Sequence, residues 1–439
     1  MNYRKIVIDS LERTIKKKKY SNIETKEMMH LFDSKIEKDL YLFSFYGVIE
    51  NLIFLDWVVQ SYSSISIRKM HTNVINTLRL SVFQIFFSDN ISDSTIVYES
   101  VELIKKSVIK SSGFVNGILR NIIRNKSKIL EDLEALPLID RLSIKYSFPT
   151  AFVEKLIVQM GEKEAELFCV ASNKKPEMIV RTNCAKTTRD RLIQELRLEN
   201  WVVDKTRLSD DGIIIKNPNR IESMAAYKNG LITPQDESSM LVTQILAPDK
   251  HMSIIDMCCA PGGKCLHVAE RIHPSGKIVG CDIYDHKLKL VRDNKKRLGL
   301  ENIELRIQDA TVLVPSERME FDVCIADVPC SNTGILRRKP EIKYKKETVE
   351  TSALIPLQKE ILNNGSKYIK LGGALIYSTC SIFEDENIDV VTSFLEKNPA
   401  FRLKTFSLNN KTYPGYIQLM PHKDDTDGFF IAYLERIAM

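Results

Sequence analysis

Two cysteines in the last third of the chain follow two apolar runs. Asp327-Val328-Pro329-Cys330-Ser331 comes after Phe321–Ala326, and Ser378-Thr379-Cys380-Ser381 comes after Ala374–Tyr377. Both runs read as strands, so both thiols are expected at the same edge of one sheet. A third run, Ser253–Met257, leads into Cys258-Cys259-Ala260-Pro261-Gly262-Gly263-Lys264, a turn that opens a helix. Gly262 and Gly263 let a ligand approach the backbone and tolerate unusual φ. Asp282 ends the next strand and Asp309 follows the one after it. Ligands of open α/β sheets bind at the carboxyl ends of the strands, and an acid about 20 residues beyond the glycines is placed for ribose hydroxyls. Acids at successive strand tips suit a nucleoside with a neutral or positive tail and do not suit a phosphate chain. Neither Gly-x-Gly-x-x-Gly nor Gly-x4-Gly-Lys-Ser/Thr occurs, which disfavours a dinucleotide or nucleoside triphosphate.

Two thiols beside a nucleoside cofactor fit methylation at carbon 5 of a pyrimidine. That carbon is too weak a nucleophile by itself. A thiolate added to carbon 6 turns carbon 5 into an enamine carbon that attacks a sulfonium methyl; a base then removes the carbon 5 proton and the thiolate leaves. The target base must be unstacked to reach the thiol. Spacing alone leaves open whether Cys330 or Cys380 attacks. Lys264 sits where a helix dipole disfavours a cation, which points to a specific partner, Asp327 or a substrate group. Asp327 is placed to hold the cytosine edge at ring nitrogen 3.

The elements that must carry these groups divide the 439 residues into three parts. Residues 1–130 read as a helical bundle: Tyr3, Val7, Leu11 and Ile15 recur every four residues, as do Val74, Leu78 and Val82, and Phe114, Ile118 and Ile122. Residues 131–230 hold a proline-bearing connector (Pro137, Pro149) and a small α+β unit of RRM or ferredoxin-like type. Its strands are expected at Met178–Thr182, Trp201–Val203 and Gly212–Ile215, with a charged helix at Arg189–Leu198. Residues 231–439 alternate strands and helices, which implies a doubly wound, Rossmann-like α/β sheet.

The composition is that of an ordinary globular chain, with 44% hydrophobic and 27% charged residues. No apolar run is long enough for a membrane span and the start lacks a signal-peptide pattern, so a cytoplasmic protein is expected. The net charge of +6 is uneven: residues 1–130 hold 20 Lys/Arg against 13 Asp/Glu. Lys16–Lys19, Arg120 and Arg124 fall off the apolar stripes, where they can meet RNA phosphate, and Arg337-Arg338-Lys339 is expected to do the same. Nine cysteines without an export signal read as reduced thiols. Cys258, Cys259 and Cys265 cluster near His267, but without a Cys-x2-Cys pair no metal is expected. Cys169, Cys184, Cys281 and Cys324 read as packing residues.

The motifs together resemble the bacterial small-subunit rRNA cytosine-5 methyltransferases of the Sun/Fmu (RsmB-like) type. The matching residues are Asp256–Lys264, Asp327–Gly334, Arg337–Tyr344, and Thr379-Cys380-Ser381 followed by Glu384, Glu386 and Asn387. Gly113–Arg120 is similar to the NusB-type RNA-binding domain of those enzymes. Val328 and Cys259 depart from smaller residues usual there. The resemblance implies that Cys380 is the nucleophile and that Cys330 assists product release. It also implies that Cys258, Cys259, Ala260, Pro261, Gly262, Gly263, Lys264, Asp282, Asp309 and Asp327 bind S-adenosyl-L-methionine. The implied partner is 16S rRNA, naked or in an early assembly intermediate, and a monomer without an obligate protein partner is expected. The alternatives are the same chemistry on tRNA, or a non-catalytic RNA-binding ribosome-assembly factor.

Overall fold

The computed structural model describes residues 2–216 and 221–438. The chain forms two compact units; one runs to Lys174 and takes in Leu336–Val349, and the other holds Lys175–Ile335 and the chain from Glu350 onward.

The first unit is helical. Its long helices are Lys35–Glu50, Thr72–Phe87, Asp93–Lys105 and Ser112–Arg124. The fourfold spacings resolve as a stripe: Val7, Leu11, Val74, Leu78, Val82, Ile118 and Ile122 all enter one core. Ser34 and Ser92 accept the amides of Glu37 and Thr95, capping two of these helices, worth about 1 kcal/mol each. Arg120 and Arg124 stay on the exposed face, as do Lys16, Lys17 and Lys18. Lys19 does not join them, because it pairs with Glu24 (3.0 Å) and Glu27 (2.5 Å). Among the described residues no single helix is long and apolar enough to cross a membrane. Lys35–Glu50 and Leu52–Ser61 have the length only together, are bent by 75°, and bury Phe45, Val48, Phe54 and Leu55 in the core.

The expected connector is itself helical. Leu138–Tyr146, Thr150–Met160 and Glu162–Ser172 belong to the helical unit, where Phe148, Phe152 and Phe168 pack together. Pro137 and Pro149 do not interrupt these helices but precede their first residues, where a missing N–H costs nothing. Leu336–Val349 also packs here. The fully buried Lys343 donates to the carbonyls of Glu50 (3.2 Å) and Tyr146 (3.4 Å) and to Asn173 Oδ1 (2.5 Å), with its ammonium over the Phe148 ring. Burial lowers its pKa to about 8. Tyr344 donates to the Ile49 carbonyl (2.7 Å), and Glu341 accepts from the amide and hydroxyl of Ser21 (3.1 and 2.8 Å).

The second unit contains two main sheets. The smaller has β1 (Met178–Thr182), β2 (Val203–Lys205), β3 (Gly212–Ile215) and β4 (Ile232–Pro234) in the antiparallel order β2-β3-β1-β4. The helix Arg189–Leu198 buries Leu192, Ile193 and Leu196 against it. This is the small ferredoxin-like unit; β1 and β3 match the expected strands, β2 starts only at the last residue of the expected Trp201–Val203, and β4 is added.

The larger sheet is Rossmann-like. Its parallel strands are β5 (Ser253–Asp256), β6 (Lys277–Asp282), β7 (Ile303–Ile307), β8 (Phe321–Asp327) and β9 (Ile369–Thr379). β5, β8 and β9 cover the apolar runs Ser253–Met257, Phe321–Ala326 and Ala374–Tyr377 read from the sequence, apart from Met257, and β6 ends at Asp282 as expected. The order reverses at β5, with β6 and β7 on one side and β8 and β9 on the other. That switch point is where a ligand crevice opens. The sheet is mixed, however. After β10 (Phe401–Leu403), a small hairpin of β11 (Phe406–Leu408) and β12 (Lys411–Tyr413), and β13 (Tyr416–Leu419), the chain returns as β14 (Phe429–Arg436), antiparallel to β9. β14 covers the edge that β9 would otherwise expose.

Candidate active site

The glycine turn lies between β5 and the helix Gly263–Ile272. Gly262 sits at φ +107°, and a Cβ there would meet Leu266 Cδ1 at 2.8 Å, so only glycine fits. The turn is tied down from both sides: the Gly262 amide donates to the Cys259 carbonyl (2.7 Å) and the Cys259 amide to the Cys281 carbonyl (2.8 Å). Asp282 ends β6, nearly buried, and accepts the Tyr284 amide on Oδ1 (2.9 Å). Asp309 follows β7, is exposed, and uses Oδ1 for the amide and hydroxyl of Thr311 (2.9 and 2.7 Å). Those bonds hold its carboxyl below the usual carboxylate range.

Lys264 has the partner its position demanded. Its Nζ lies 2.6 Å from Asp327 Oδ2 and 4.8 Å from the centre of the Phe429 ring. Asp327 Oδ1 accepts from Ser378 Oγ (2.8 Å), so the carboxylate at the tip of β8 is oriented by both the glycine-turn helix and β9.

The two cysteine turns meet. Cys330 Sγ and Cys380 Sγ are 3.2 Å apart, and Cys380 Sγ also donates to Asn332 Oδ1 (3.1 Å). Asn332 adopts φ +62° and donates through Nδ2 to the Cys330 carbonyl (2.8 Å), which aims its oxygen at the second sulfur. The neighbouring Cys380 sulfur, and then burial, push the Cys330 thiol well above the usual thiol range, so Cys330 keeps its proton. Burial also pushes up the thiols of Cys258, Cys281 and Cys324, and the contact with Cys265 raises Cys259. All nine cysteines are unpaired by disulfides.

Three features carry weight that their sequence positions did not reveal. The first is Glu386, fully buried, which accepts from the Ser331 amide (2.9 Å), the hydroxyls of Ser331 and Ser381 (2.5 Å each) and Gln358 Nε2 (3.0 Å). It fastens the residue after each cysteine to one carboxylate. The second is Gly334, where a Cβ would lie 1.9 Å from the Gly428 carbonyl oxygen. Gly334 donates to the Cys380 carbonyl (2.9 Å) and Gly428 donates back to Gly334, so β14 closes the site through a contact that only glycines permit.

The third is Asp256, at the tip of β5. It accepts the Cys258 amide on Oδ1 (3.2 Å), but its buried Oδ2 has no partner. Burial, and then the charge of Asp327, raise it to about 7. A buried acceptor without a donor, a turn without room for a Cβ, and Asp282 on the adjoining strand fit a nucleoside cofactor with a cationic or amine-bearing tail. The strand-tip logic that selected Asp282 applies equally to Asp256.

The remaining expectations separate. Arg337, Arg338 and Lys339 are half-buried within the helical unit, with Lys339 Nζ 5.7 Å from the Tyr20 ring centre. His267 is buried and hydrogen-bonded through Nε2 to Asp211 (2.8 Å). Burial and the nearby Arg181 charge lower its pKa to about 4, so it stays neutral.

Comparison with known proteins shows the family of the chain. The family model described as 16S rRNA methyltransferase RsmB/F matches residues 243–435, the NusB family matches 1–124, and the ferredoxin-like domain of RsmF/B-like methyltransferases matches 148–222. The probable ribosomal RNA small subunit methyltransferase B of Bacillus subtilis is 32% identical over 99% of this chain and 98% of its own. The ribosomal RNA small subunit methyltransferase B of Pseudomonas syringae is 30% identical over 82% of this chain and 81% of its own. Among solved structures, PH0851 has the same fold (TM-score 0.82, 24% identity, 99% of either chain), and NSun6 from Pyrococcus horikoshii shares it over 66% of this chain and 99% of its own (TM-score 0.60, 22% identity). The helical, ferredoxin-like and Rossmann-like parts occur here in the order of that family, and the chain belongs to the RsmB/F family of methyltransferases.

Proposed function

We propose that the protein methylates carbon 5 of a cytosine in 16S rRNA, using S-adenosyl-L-methionine and a covalent bond from Cys380 to the base. The observation that carries this reading is the sulfur pair, Cys330 and Cys380, 3.2 Å apart at the carboxyl ends of adjacent strands. S-adenosyl-L-methionine supplies an electrophilic methyl group. Cys258 through Lys264, with Asp282, Asp309 and Asp327, form its pocket.

Cys380 Sγ bonds to carbon 6 as a thiolate, and the π electrons of the ring shift toward nitrogen 3 and carbon 5. Asp327, held by Lys264 and Ser378, faces the cytosine edge, relays the thiol proton of Cys380 to nitrogen 3 and takes it back once carbon 5 is methylated, so that no net negative charge builds on the ring. After carbon 5 has gained its methyl group, its proton leaves to a base and the Cys380–carbon 6 bond breaks. Cys330, still protonated, assists that release by hydrogen bonding to the departing sulfur. Asn332 and Glu386 keep the two sulfurs in register. The exposed cations of residues 1–130 hold the RNA backbone, because phosphate contacts position a nucleic acid without reading its sequence.

A tRNA substrate would use the same site. A non-catalytic assembly factor would need neither paired thiols nor an oriented Asp327. Bisulfite mapping of cellular RNA, with the gene active and with Cys380→Ala, distinguishes the three. One 16S rRNA cytosine losing protection in the variant is the expected result. Loss confined to tRNA overturns the substrate, and no loss anywhere overturns the activity.

A further inference from the structure

One fully buried cation has no place in the chemistry above. Arg181 lies on β1 of the small sheet and has 0% exposure. Its Nε and Nη2 grip Glu270 (3.1 and 2.6 Å), whose side chain is also fully buried. Two donors complete that ion pair. Nη1 points elsewhere: it donates to the carbonyl oxygen of Gly263 (2.7 Å) and to Gln235 Oε1. Gly263 is the first residue of the helix that follows the glycine turn, and Glu270 lies two turns further along the same helix. Gln235, just after β4, is held in turn by its bond to Ser239 Oγ (3.1 Å).

The grip on Gly263 matters because a peptide unit is rigid. The Gly263 carbonyl and the Lys264 amide share one plane and point in opposite directions, so holding the oxygen aims the N–H. Gly263 has no side chain to limit its own rotation, and this peptide stands at the very start of the helix, where few neighbouring hydrogen bonds hold it, so the guanidinium adds a lateral hold. Amides at a helix N-terminus act on a ligand only when directed at it. The next residue, Lys264, carries the ammonium that orients Asp327. One guanidinium thus sets an amide of the glycine turn and the starting point of the Lys264 side chain.

We infer that Arg181 is a positioning residue for S-adenosyl-L-methionine: the small ferredoxin-like sheet clamps the glycine turn through the Gly263 carbonyl and so sets cofactor affinity. The inference rests on the reading that Cys258–Lys264 and Asp282 form the cofactor pocket. The clamp needs a planar, multi-donor group, which lysine cannot replace because a single ammonium does not span Glu270 and Gly263 together.

Equilibrium dialysis of the full-length protein with labelled S-adenosyl-L-methionine, without RNA, tests this. Arg181→Met/Glu270→Met removes both charges together, so no lone buried ion remains to unfold the protein. Arg181→Lys keeps an ion pair and tests the clamp even if the double variant fails to fold. Both variants are expected to weaken cofactor binding at least tenfold, while their RNA dissociation constants and circular dichroism match wild type. In steady-state kinetics the loss should fall on KM for the cofactor more than on kcat. Asp282→Ala serves as the control for the pocket. If Asp282→Ala loses cofactor and Arg181→Lys binds it within twofold of wild type, Arg181 is only a structural ion pair and the inference fails. If Asp282→Ala binds normally, the pocket assignment itself is wrong.

Discussion

The sulfur atoms of Cys330 and Cys380 lie 3.2 Å apart although fifty residues separate them, and the Asn332 side chain completes a short chain of contacts from one to the other. The arrangement is asymmetric. Cys330 is buried and keeps its proton, whereas Cys380 is half-buried and so the one that substrate can approach. That asymmetry underlies the different roles proposed for the two thiols.

Cys380→Ala is expected to abolish methyl transfer while leaving cofactor affinity within twofold of wild type. Methyl incorporation from labelled cofactor into RNA, with equilibrium dialysis alongside, measures both. Retained turnover would remove Cys380 from the chemistry.

Glu386→Ala leaves the Ser331 amide buried without its acceptor, at roughly 1–3 kcal/mol, and reduces Gln358 Nε2 to its bond with the Pro329 carbonyl (3.0 Å). The variant should melt at lower temperature and lose kcat by more than it loses cofactor affinity, because the carboxylate fastens the cysteine turns and not the glycine turn. Unchanged kcat at a temperature where the variant is folded would show that the network only supports the fold.

Asp256 makes a pH prediction. Burial first, and then Asp327, raise its carboxyl to about 7, above its value in an unfolded chain. The folded state therefore keeps a proton that the unfolded state releases between about pH 4 and 7. Its contribution to stability is fully present below pH 4 and is lost as pH rises through 7. Asp256→Asn keeps an acceptor for the Cys258 amide and removes the titration. Relative to wild type, the variant should gain stability across that window, on the order of a few kcal/mol, and the difference should be flat above it. Urea unfolding from pH 4 to 8 measures this. Parallel curves would show that Asp256 is ionised in the fold.

The exposed cations predict a salt dependence. Neutralising Lys16, Lys17, Lys18, Arg120 and Arg124 with glutamine should weaken RNA binding and lower the slope of log K against log salt by about 0.7 for each phosphate that is no longer neutralised. Substitution suits this test better than deletion of residues 1–130. Leu336–Val349 is packed into the same helical unit, and deletion would strip Lys343 and Tyr344 of their Glu50 and Ile49 acceptors. An unchanged slope would make these side chains ordinary solvated surface.

Much of the site could be read from the chain because its residues sit at strand ends, and strands announce themselves as apolar runs. Asp282, Asp327 and Cys380 fall at or just beyond the tips of β6, β8 and β9, and Cys330 follows three residues after β8; Asp256, at the tip of β5, meets the same rule and is missing from the expected site. A cation placed against a helix dipole called for a partner, Asp327 or a substrate group, and Asp327 is the one that Lys264 meets. What stayed hidden depends on partners distant in sequence. Arg181 finds Gly263 across 82 residues, and Glu386 finds Ser331 across 55. The direction of β14 is not encoded in its composition, since an apolar run pairs equally well either way. Leu336–Val349 lies between two elements of the catalytic sheet, so its place in the helical unit follows from the acceptors that wait there for Lys343.

The most direct test of the covalent mechanism is to incubate the Cys330→Ala protein with RNA and S-adenosyl-L-methionine, resolve it on a denaturing gel, and map any RNA-linked peptide by mass spectrometry. Loss of Cys330 should stall release, so a slowly migrating protein–RNA adduct is predicted, with the RNA attached at Cys380. An adduct found instead in Cys380→Ala and attached at Cys330 would reverse the two roles, and the absence of an adduct from both variants would contradict a covalent intermediate.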